Sequence, residues 1–186
     1  SYSVGGLIGD LERSTIDRSF SKSEVTGTSN LGGLVGNAKW NATISKSFAL
    51  GHVTGGTYTG GLIGRADYWT LIIEDSYSRG NVSGTDRVGP FIGYIYSNAG
   101  NSISRSYATG DVTSSGTNHG GFIGDNRVTI SDSFWNGEVN SDFTAFGYNT
   151  GTVDLFDKST AELQLEATYT AEGWDFSDFG DWAIPS

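Results

Sequence analysis

The chain lacks features that several classes of protein require. It has no cysteine, which excludes disulfide bonds and thiolate metal sites. Its basic residues form no cluster and its net charge is −10, so nucleic acid is not an expected partner, because phosphates would be repelled. No apolar run approaches the ~18 residues that cross a bilayer, and no membrane-spanning segment is expected.

Methionine is absent too, which predicts a processed chain or an excised piece rather than an intact translated start. With only two prolines, the chain is not a proline-rich linker. An apolar share of 36% with 13% aromatics instead predicts a packed core. Serine-nucleophile, phosphate-loop and zinc motifs are all missing, so we expect no catalytic residues, no metal and no cofactor.

What the chain does contain is a repeated glycine block. Five copies start 27, 28, 29 and 31 residues apart. They are Gly5-Gly6-Leu7-Ile8-Gly9, Gly32-Gly33-Leu34-Val35-Gly36, Gly60-Gly61-Leu62-Ile63-Gly64, Gly89-Pro90-Phe91-Ile92-Gly93 and Gly120-Gly121-Phe122-Ile123-Gly124. A fixed period of this length is typical of repeat architectures.

A second block follows each glycine block. It begins with isoleucine, has serine and an aromatic residue three and four positions later, and is followed by valine nine positions after the isoleucine. The isoleucines are Ile16, Ile44, Ile73, Ile103 and Ile130, the aromatics Phe20, Phe48, Tyr77, Tyr107 and Phe134, and the valines Val25, Val53, Val82, Val112 and Val139. The distance from glycine block to isoleucine varies, so each unit has one loop that tolerates insertions.

These units predict an all-β parallel β-helix, or β-solenoid, of about five to six coils. Short β-branched and aromatic segments between glycine and Ser/Asn/Asp clusters read as strands, and ~28 residues hold three strands of 4–6 residues with corners. Stacked coils would place isoleucines, valines and aromatics in three separate ladders. A propeller needs longer blades, and an antiparallel sandwich would not keep five copies in register.

Two details of the blocks carry predictions of their own. The first and third glycines occur in every copy, which indicates either positive φ or close backbone approach. Pro90 at the middle position indicates negative φ there and no essential hydrogen bond. The residue two positions after each isoleucine is charged, and from the second copy the sign alternates, which predicts ion pairs between coils: Arg18, Lys46, Asp75, Arg105 and Asp132.

The repeat pattern decays after Val139. A degenerate sixth glycine block falls at residues 146–151. Ser159 and Glu162 have capping-box spacing, which predicts a helix over about 160–171. We therefore divide the chain into solenoid repeats (1–154) and a C-terminal capping segment (155–186) that covers the end of the array.

The two blocks together resemble the GLUG repeat of bacterial and archaeal surface proteins, which include adhesins of the filamentous-haemagglutinin type. The resemblance covers about residues 5–151, and the segment from Ser159 to Phe176 is similar to the one that commonly closes such arrays. It implies an extracellular, cell-surface β-solenoid with adhesive or scaffolding roles. It brings no defined catalytic residues.

The variable loop contains the candidate ligand-binding residues. Trp40 and Trp69 both stand four residues before their isoleucines in adjacent coils, with Tyr68 beside them and Tyr94 and Tyr96 in the next loop. Aromatic faces along a solenoid edge suit a sugar ring or an aromatic side chain of a receptor. The alternative is that these rings fold back and shield the corner.

The sequence thus predicts a non-catalytic adhesion or display module, whose partner would be a glycan or a protein receptor. One alternative is a structural subunit that self-associates end to end into fibres. The other is a polysaccharide-active enzyme on a β-helix, which an exposed row of carboxylates at coil spacing would favour.

Overall fold

The computed structural model describes residues 3–67, 69–96 and 100–176. Over these residues the chain forms a parallel β-solenoid of about five turns with two short helices, which confirms the predicted fold class. Each complete coil carries five short strands of two to five residues, and not three longer ones. The strands align between coils into four parallel sheets.

The sheets are numbered in the order in which each coil visits them. Sheet 1 contains β1 (Val4–Gly5), β6 (Ser29–Gly32), β11 (Thr57–Gly60) and β16 (Asp86–Gly89). Sheet 2 contains β2 (Ile8–Glu12), β7 (Val35–Lys39), β12 (Ile63–Asp67), β17 (Ile92–Ile95), β21 (Ile123–Asn126) and β23 (Phe146–Asn149). Sheet 4 contains β5 (Val25–Thr26), β10 (Val53–Thr54), β15 (Val82–Gly84) and β20 (Val112–Ser114).

Sheet 3 has two strands from each of the first four coils. Its first row is β3 (Thr15–Asp17), β8 (Ala42–Ser45), β13 (Leu71–Glu74) and β18 (Ser102–Ser104), and its second row is β4 (Phe20–Ser21), β9 (Phe48–Ala49), β14 (Tyr77–Ser78) and β19 (Tyr107–Ala108). The long β22 (Thr129–Asn136) continues both rows in coil 5, and β24 (Val153–Lys158) pairs with it. Coil 6 is partial and consists of β23 and β24.

The isoleucine and aromatic ladders are confirmed. Ile16, Ile44, Ile73, Ile103 and Ile130 pair in register and are all buried in the main core. The aromatic rings stack face to face, with centroids 5.1 Å apart for Phe20–Phe48, 4.7 Å for Phe48–Tyr77 and 4.7 Å for Tyr77–Tyr107. The aromatic ladder lies in a cluster of its own, apart from the main core.

The valine ladder is confirmed for four members only. Val25, Val53, Val82 and Val112 pair in sheet 4 and pack with Leu31 and Val88 in a second small core. The prediction for Val139 was wrong, since its side chain is 41% exposed. Asn140 is buried instead, and its side chain accepts a hydrogen bond from the Val112 nitrogen at 3.0 Å and donates one to the Gly110 carbonyl at 3.0 Å. A side-chain amide thus replaces a strand where the repeat ends.

The serine of the second block forms a hydrogen-bonded ladder. In each of four steps the hydroxyl accepts a hydrogen bond from the backbone nitrogen of the serine one coil earlier, at 3.1 to 3.4 Å (Ser19→Ser47, Ser47→Ser76, Ser76→Ser106, Ser106→Ser133). The same hydroxyl donates to the carbonyl two residues before it, as Ser47 does to Ser45 at 2.7 Å. Because these bends are buried, the hydroxyl satisfies backbone groups that water does not reach.

The glycine blocks allow close approach of backbone rather than positive φ. Only Gly100 and Gly173 have positive φ among the described glycines. A Cβ on Gly60 would overlap the carbonyl oxygen of Ile63, and one on Gly93 would lie 2.7 Å from the Thr59 nitrogen. The first glycine therefore permits the tight arc from sheet 1 to sheet 2, and the third lets the two sheets meet.

Left-handed backbone is present in the solenoid, but at non-glycine residues. All five charged residues two positions after the isoleucines have φ between 42° and 50°. Arg105 and Asp75, in adjacent coils, make a two-pronged ion pair with N–O distances of 2.6 and 3.2 Å. Hydrogen bonding to Asp75 raises the pKa of Arg105. The predicted ion pairing between coils is thus confirmed for Asp75 and Arg105.

The C-terminal segment packs along the side of the solenoid. The predicted single helix is two, α1 (Thr160–Leu163) and α2 (Glu166–Thr170), and the capping box of Ser159 and Glu162 is present. Tyr169 and Trp174 pack on the aromatic ladder at Tyr107 and Phe134, with centroids 5.1 to 6.4 Å apart. Trp174 Nε1 also donates to the Asp132 carbonyl at 2.9 Å. Among the described residues, no helix is long and apolar enough to cross a membrane.

We expect alkaline unfolding to begin near pH 10, because burial raises the pKa of Tyr107 and of Tyr169 and raises that of Tyr77 to about 12. The tyrosines favour the folded state while they are neutral in both states, below about pH 10, and this stability is lost as pH rises through the folded pKa values. Absorbance of tyrosinate and circular dichroism should be recorded together from neutral pH upward. Ionisation of all nine tyrosines in one step near pH 10, with the dichroism unchanged, would contradict the packing of this cluster.

Candidate functional site

The corner between sheets 2 and 3 carries most of the predicted binding residues. Ala42 pairs with Leu71, so Trp40 and Trp69 both stand two residues before a paired position in coils 2 and 3. Tyr96 directly follows β17 in coil 4, and its nitrogen donates to the Ala66 carbonyl of coil 3 at 3.0 Å. Tyr68 lies outside the described residues. Trp40, Trp69 and Tyr96 therefore lie at this corner in three successive coils.

The two tryptophans have left-handed backbone, as do ten other non-glycine residues of the described chain. Trp40 has φ of 58° and Trp69 has φ of 72°, both in the left-handed region. This region costs an L-residue roughly 1–2 kcal/mol, and for a bulky residue it is a true outlier. A chain with 28 glycines nevertheless places tryptophan at both positions. The side chain at each corner thus carries a conformational cost that glycine would avoid.

Exposure separates the two tryptophans. Trp69 is 62% exposed and Tyr96 is 46% exposed. Trp40 is half-buried, with the Arg13 guanidinium carbon 4.9 Å and the Lys39 ammonium 5.2 Å from its ring centroid. Lys39 is held in turn by Glu12 at 2.8 Å and Asp10 at 3.2 Å. Trp40 fits the shielding alternative, whereas Trp69 and Tyr96 present aromatic surface to solvent.

Tyr94 belongs to a different surface, the outer face of sheet 2. Its ring is half-buried, and three guanidinium carbons lie 5.6 to 5.8 Å from its centroid. Tyr58 lies 5.5 Å away, centroid to centroid. We call this surface the tyrosine–arginine comb, and its members are Tyr58, Arg65, Arg87, Tyr94, Asp125 and Arg127. Burial raises the pKa of Tyr94.

Most of the comb could not be identified from the sequence. Arg65, Tyr94 and Asp125 share one column of sheet 2, which the position after the third glycine already indicated. Tyr58 and Arg87 reach the same surface from sheet 1, where both have left-handed backbone, with φ of 61° and 51°. Their approach depends on how closely sheets 1 and 2 meet. The repeated glycines indicate close backbone approach, but they do not show which side chains it brings together.

The acids next to the arginines of the comb are paired with them. Asp125 is buried and forms a two-pronged pair with Arg127 at 3.0 and 3.2 Å, and it also accepts from Arg87 at 3.4 Å. Asp86 pairs with Arg87 at 2.5 Å, and the Asp67 carboxylate lies against Nε of Arg65. No group of three or more histidines or acids in the described chain is placed to hold a metal ion.

Comparison with known proteins adds no relative from which a role could be transferred. No family model, curated protein or solved structure matches the chain. The class that the structure itself defines is a parallel β-solenoid with an exposed aromatic corner and a tyrosine–arginine face. Any function has to be argued from these two surfaces.

Proposed function

We propose that this chain is a non-catalytic binding module of an extracellular surface protein, which presents the corner of Trp69 and Tyr96 to a glycan. The observation that carries the proposal is Trp69, whose ring is 62% exposed on a backbone with φ of 72°. Residues with strained backbone cluster at functional sites, and Trp69 combines such backbone with an exposed aromatic ring. The resemblance to the GLUG repeats of adhesins supports the same reading.

The scaffold suits a display role. Strand ladders on both sides of the corner fix Asp67 and Leu71, the residues that flank the loop of coil 3. An aromatic ring held in this way loses little conformational entropy when it stacks on a sugar ring, whose apolar face it matches. Tyr96 in the next coil offers a second ring at ~4.8 Å coil spacing.

The arrangement of acids favours binding over hydrolysis. Asp10 and Asp125 occupy the same column of sheet 2, but four coil steps separate them, which corresponds to roughly 19 Å at ~4.8 Å per step. Paired carboxylates of glycoside hydrolases stand about 5–9.5 Å apart. Asp125 is moreover neutralised by Arg87 and Arg127. Asp10 and Asp125 are therefore not placed to act as an acid–base pair, which supports binding rather than hydrolysis.

We expect Trp69→Gly to abolish glycan binding while leaving the free energy of unfolding unchanged or raising it by up to about 1 kcal/mol. Glycine relieves the left-handed strain, and little burial is lost because most of the ring is in solvent. Binding would be measured on an array of diverse immobilised glycans, and stability by chemical denaturation.

Two further variants complete this experiment. Trp69→Ala removes the ring but keeps a Cβ at φ of 72°, so its stability should fall below that of Trp69→Gly, with the same loss of binding. Leu165→Ala is the matched surface control, since Leu165 has an exposure close to that of Trp69, 57%, and lies on the C-terminal segment. Equal glycan binding by wild type and Trp69→Gly, or no binding by wild type, would refute the proposed site.

Two alternatives remain for the same scaffold. The ligand could be a protein receptor in place of a glycan, or the chain could self-associate end to end into fibres. Electron microscopy of the purified protein separates the last possibility from the others. Filaments at micromolar protein concentration would favour the fibre subunit, and isolated short rods would favour the binding module.

A further inference from the structure

The tyrosine–arginine comb has unused hydrogen-bond donors at its surface. Arg65 forms an ion pair with Asp67 through Nε but donates no hydrogen bond there. Arg87 uses Nε and one terminal nitrogen, and Arg127 uses Nε and one terminal nitrogen. Within the described residues, four terminal guanidinium nitrogens therefore have no acceptor, two on Arg65 and one on each of the other two.

Tyrosine rings fix these guanidinium groups in place. The Arg65 and Arg87 carbons lie 4.7 and 5.3 Å from the centroid of Tyr58, and all three arginines contact Tyr94. The three arginine side chains are mostly buried, with exposed fractions of 30% for Arg65, 27% for Arg87 and 32% for Arg127. A guanidinium held between rings loses little freedom on binding a ligand, and its planar fork matches a carboxylate.

The arginines come from successive coils. Arg65 lies in coil 3, Arg87 in coil 4 and Arg127 in coil 5, so the donors follow the solenoid axis over about 10 Å at ~4.8 Å per coil. A ligand that binds all three arginines would be elongated and would carry hydrogen-bond acceptors at regular intervals. Because the tyrosine faces are already covered by guanidinium groups, this surface offers donors rather than free rings for stacking.

We propose that the tyrosine–arginine comb is a second binding surface, which takes a linear carboxylate-bearing polysaccharide laid along the solenoid axis. The net charge of −10 does not prevent this. Charges more than ~8 Å away are largely screened at physiological ionic strength, whereas carboxylate–guanidinium contacts at the surface are screened much less. Binding at the comb is independent of the corner of Trp69 and Tyr96.

The test uses the whole chain with polygalacturonate as the probe and a neutral polysaccharide of similar length as the reference, measured by calorimetry. Wild type should bind polygalacturonate at least about tenfold tighter than the neutral polymer, and binding should weaken when salt rises from about 0.05 to about 0.5 M. Arg65→Gln should lose at least about tenfold in affinity, the effect of losing charge-assisted hydrogen bonds. Arg65→Lys keeps the charge but not the planar fork of the guanidinium group. Its affinity for polygalacturonate should lie between those of wild type and Arg65→Gln.

Arg18→Gln is the matched control, because it changes net charge by the same amount. Arg18 has a side chain that is 67% exposed and pairs with Asp17 on sheet 3, away from the comb. Its affinity for polygalacturonate should equal that of wild type, and melting curves of each variant identify any loss of folding. Equal binding of both polymers, or equal losses in Arg18→Gln and in folded Arg65 variants, would overturn the proposal. Trp69→Gly should bind polygalacturonate as wild type does, which keeps failure of this surface distinct from failure of the corner.

Discussion

Gly60→Ala should cost more than about 3 kcal/mol of the free energy of unfolding, enough to prevent folding of a marginally stable domain. The reason is steric. The new Cβ would overlap the Ile63 carbonyl oxygen of the same coil and would lie 2.7 Å from the Gly93 nitrogen of the next. Both atoms are backbone held in ladders, so no side-chain rotation relieves the clash. Chemical denaturation followed by circular dichroism measures the loss.

Gly173→Ala is the control for Gly60→Ala. Gly173 has φ of 78°, but nothing lies within 4 Å of the position of its Cβ. Alanine there has only the conformational cost of left-handed backbone, about 1–2 kcal/mol. If the two variants lost the same stability, close backbone approach would not be the reason for the glycine block.

Tyr169→Ala should have the second largest effect, a loss of about 3–5 kcal/mol. Tyr169 is 1% exposed, and its ring packs on Phe134 and Trp174, both with centroids 5.1 Å away, and on Tyr107 at 5.7 Å. Its hydroxyl donates to the Leu163 carbonyl at 2.8 Å. Truncation leaves a cavity between the helical segment and the aromatic ladder. Denaturation gives the loss of stability, and hydrogen exchange should show residues 160–176 exchanging faster than the isoleucine ladder.

Two variants bracket this prediction. Tyr169→Phe keeps the ring and leaves one carbonyl without its donor, so it should lose only about 1–3 kcal/mol. Leu165→Ala lies in the same segment, but Leu165 is 57% exposed and its loss should stay within about 0.5 kcal/mol. A Tyr169→Ala variant as stable as Leu165→Ala would show that the segment does not depend on this packing.

The parts of the fold that repeat could be predicted from the sequence. An isoleucine or aromatic residue at fixed spacing in five copies reports a ladder, because in-register stacking places equivalent residues together. Val139 shows the limit of this reasoning. It keeps the spacing of the repeat, yet the chain after β22 no longer returns to sheet 4, and Asn140 takes the buried position. Spacing alone does not show where a ladder stops.

The candidate site could be predicted only in part from the repeat pattern. Trp40, Trp69 and Tyr96 were identified from their places in the variable loop, but the pattern gave no difference between them. The structure separates them through neighbours outside the motif, since Arg13 and Lys39 partly cover Trp40 whereas Trp69 remains exposed. Tyr94 was likewise placed in the predicted site by its sequence position. Its contacts with side chains of sheet 1 place it on another surface, the tyrosine–arginine comb.

The sequence by itself determined the class of fold, the coil length and the residues of each ladder, because a parallel solenoid is built from contacts between equivalent positions one repeat apart. Only the tertiary structure decided what lies between different positions of the coil. Contacts of this kind include the meeting of sheets 1 and 2 that assembles the tyrosine–arginine comb and the docking of Tyr169 and Trp174 on the aromatic ladder. Such contacts depend on the angles at the corners. The repeated glycines indicate close backbone approach, but a repeat pattern does not report the left-handed non-glycine residues that also set those angles.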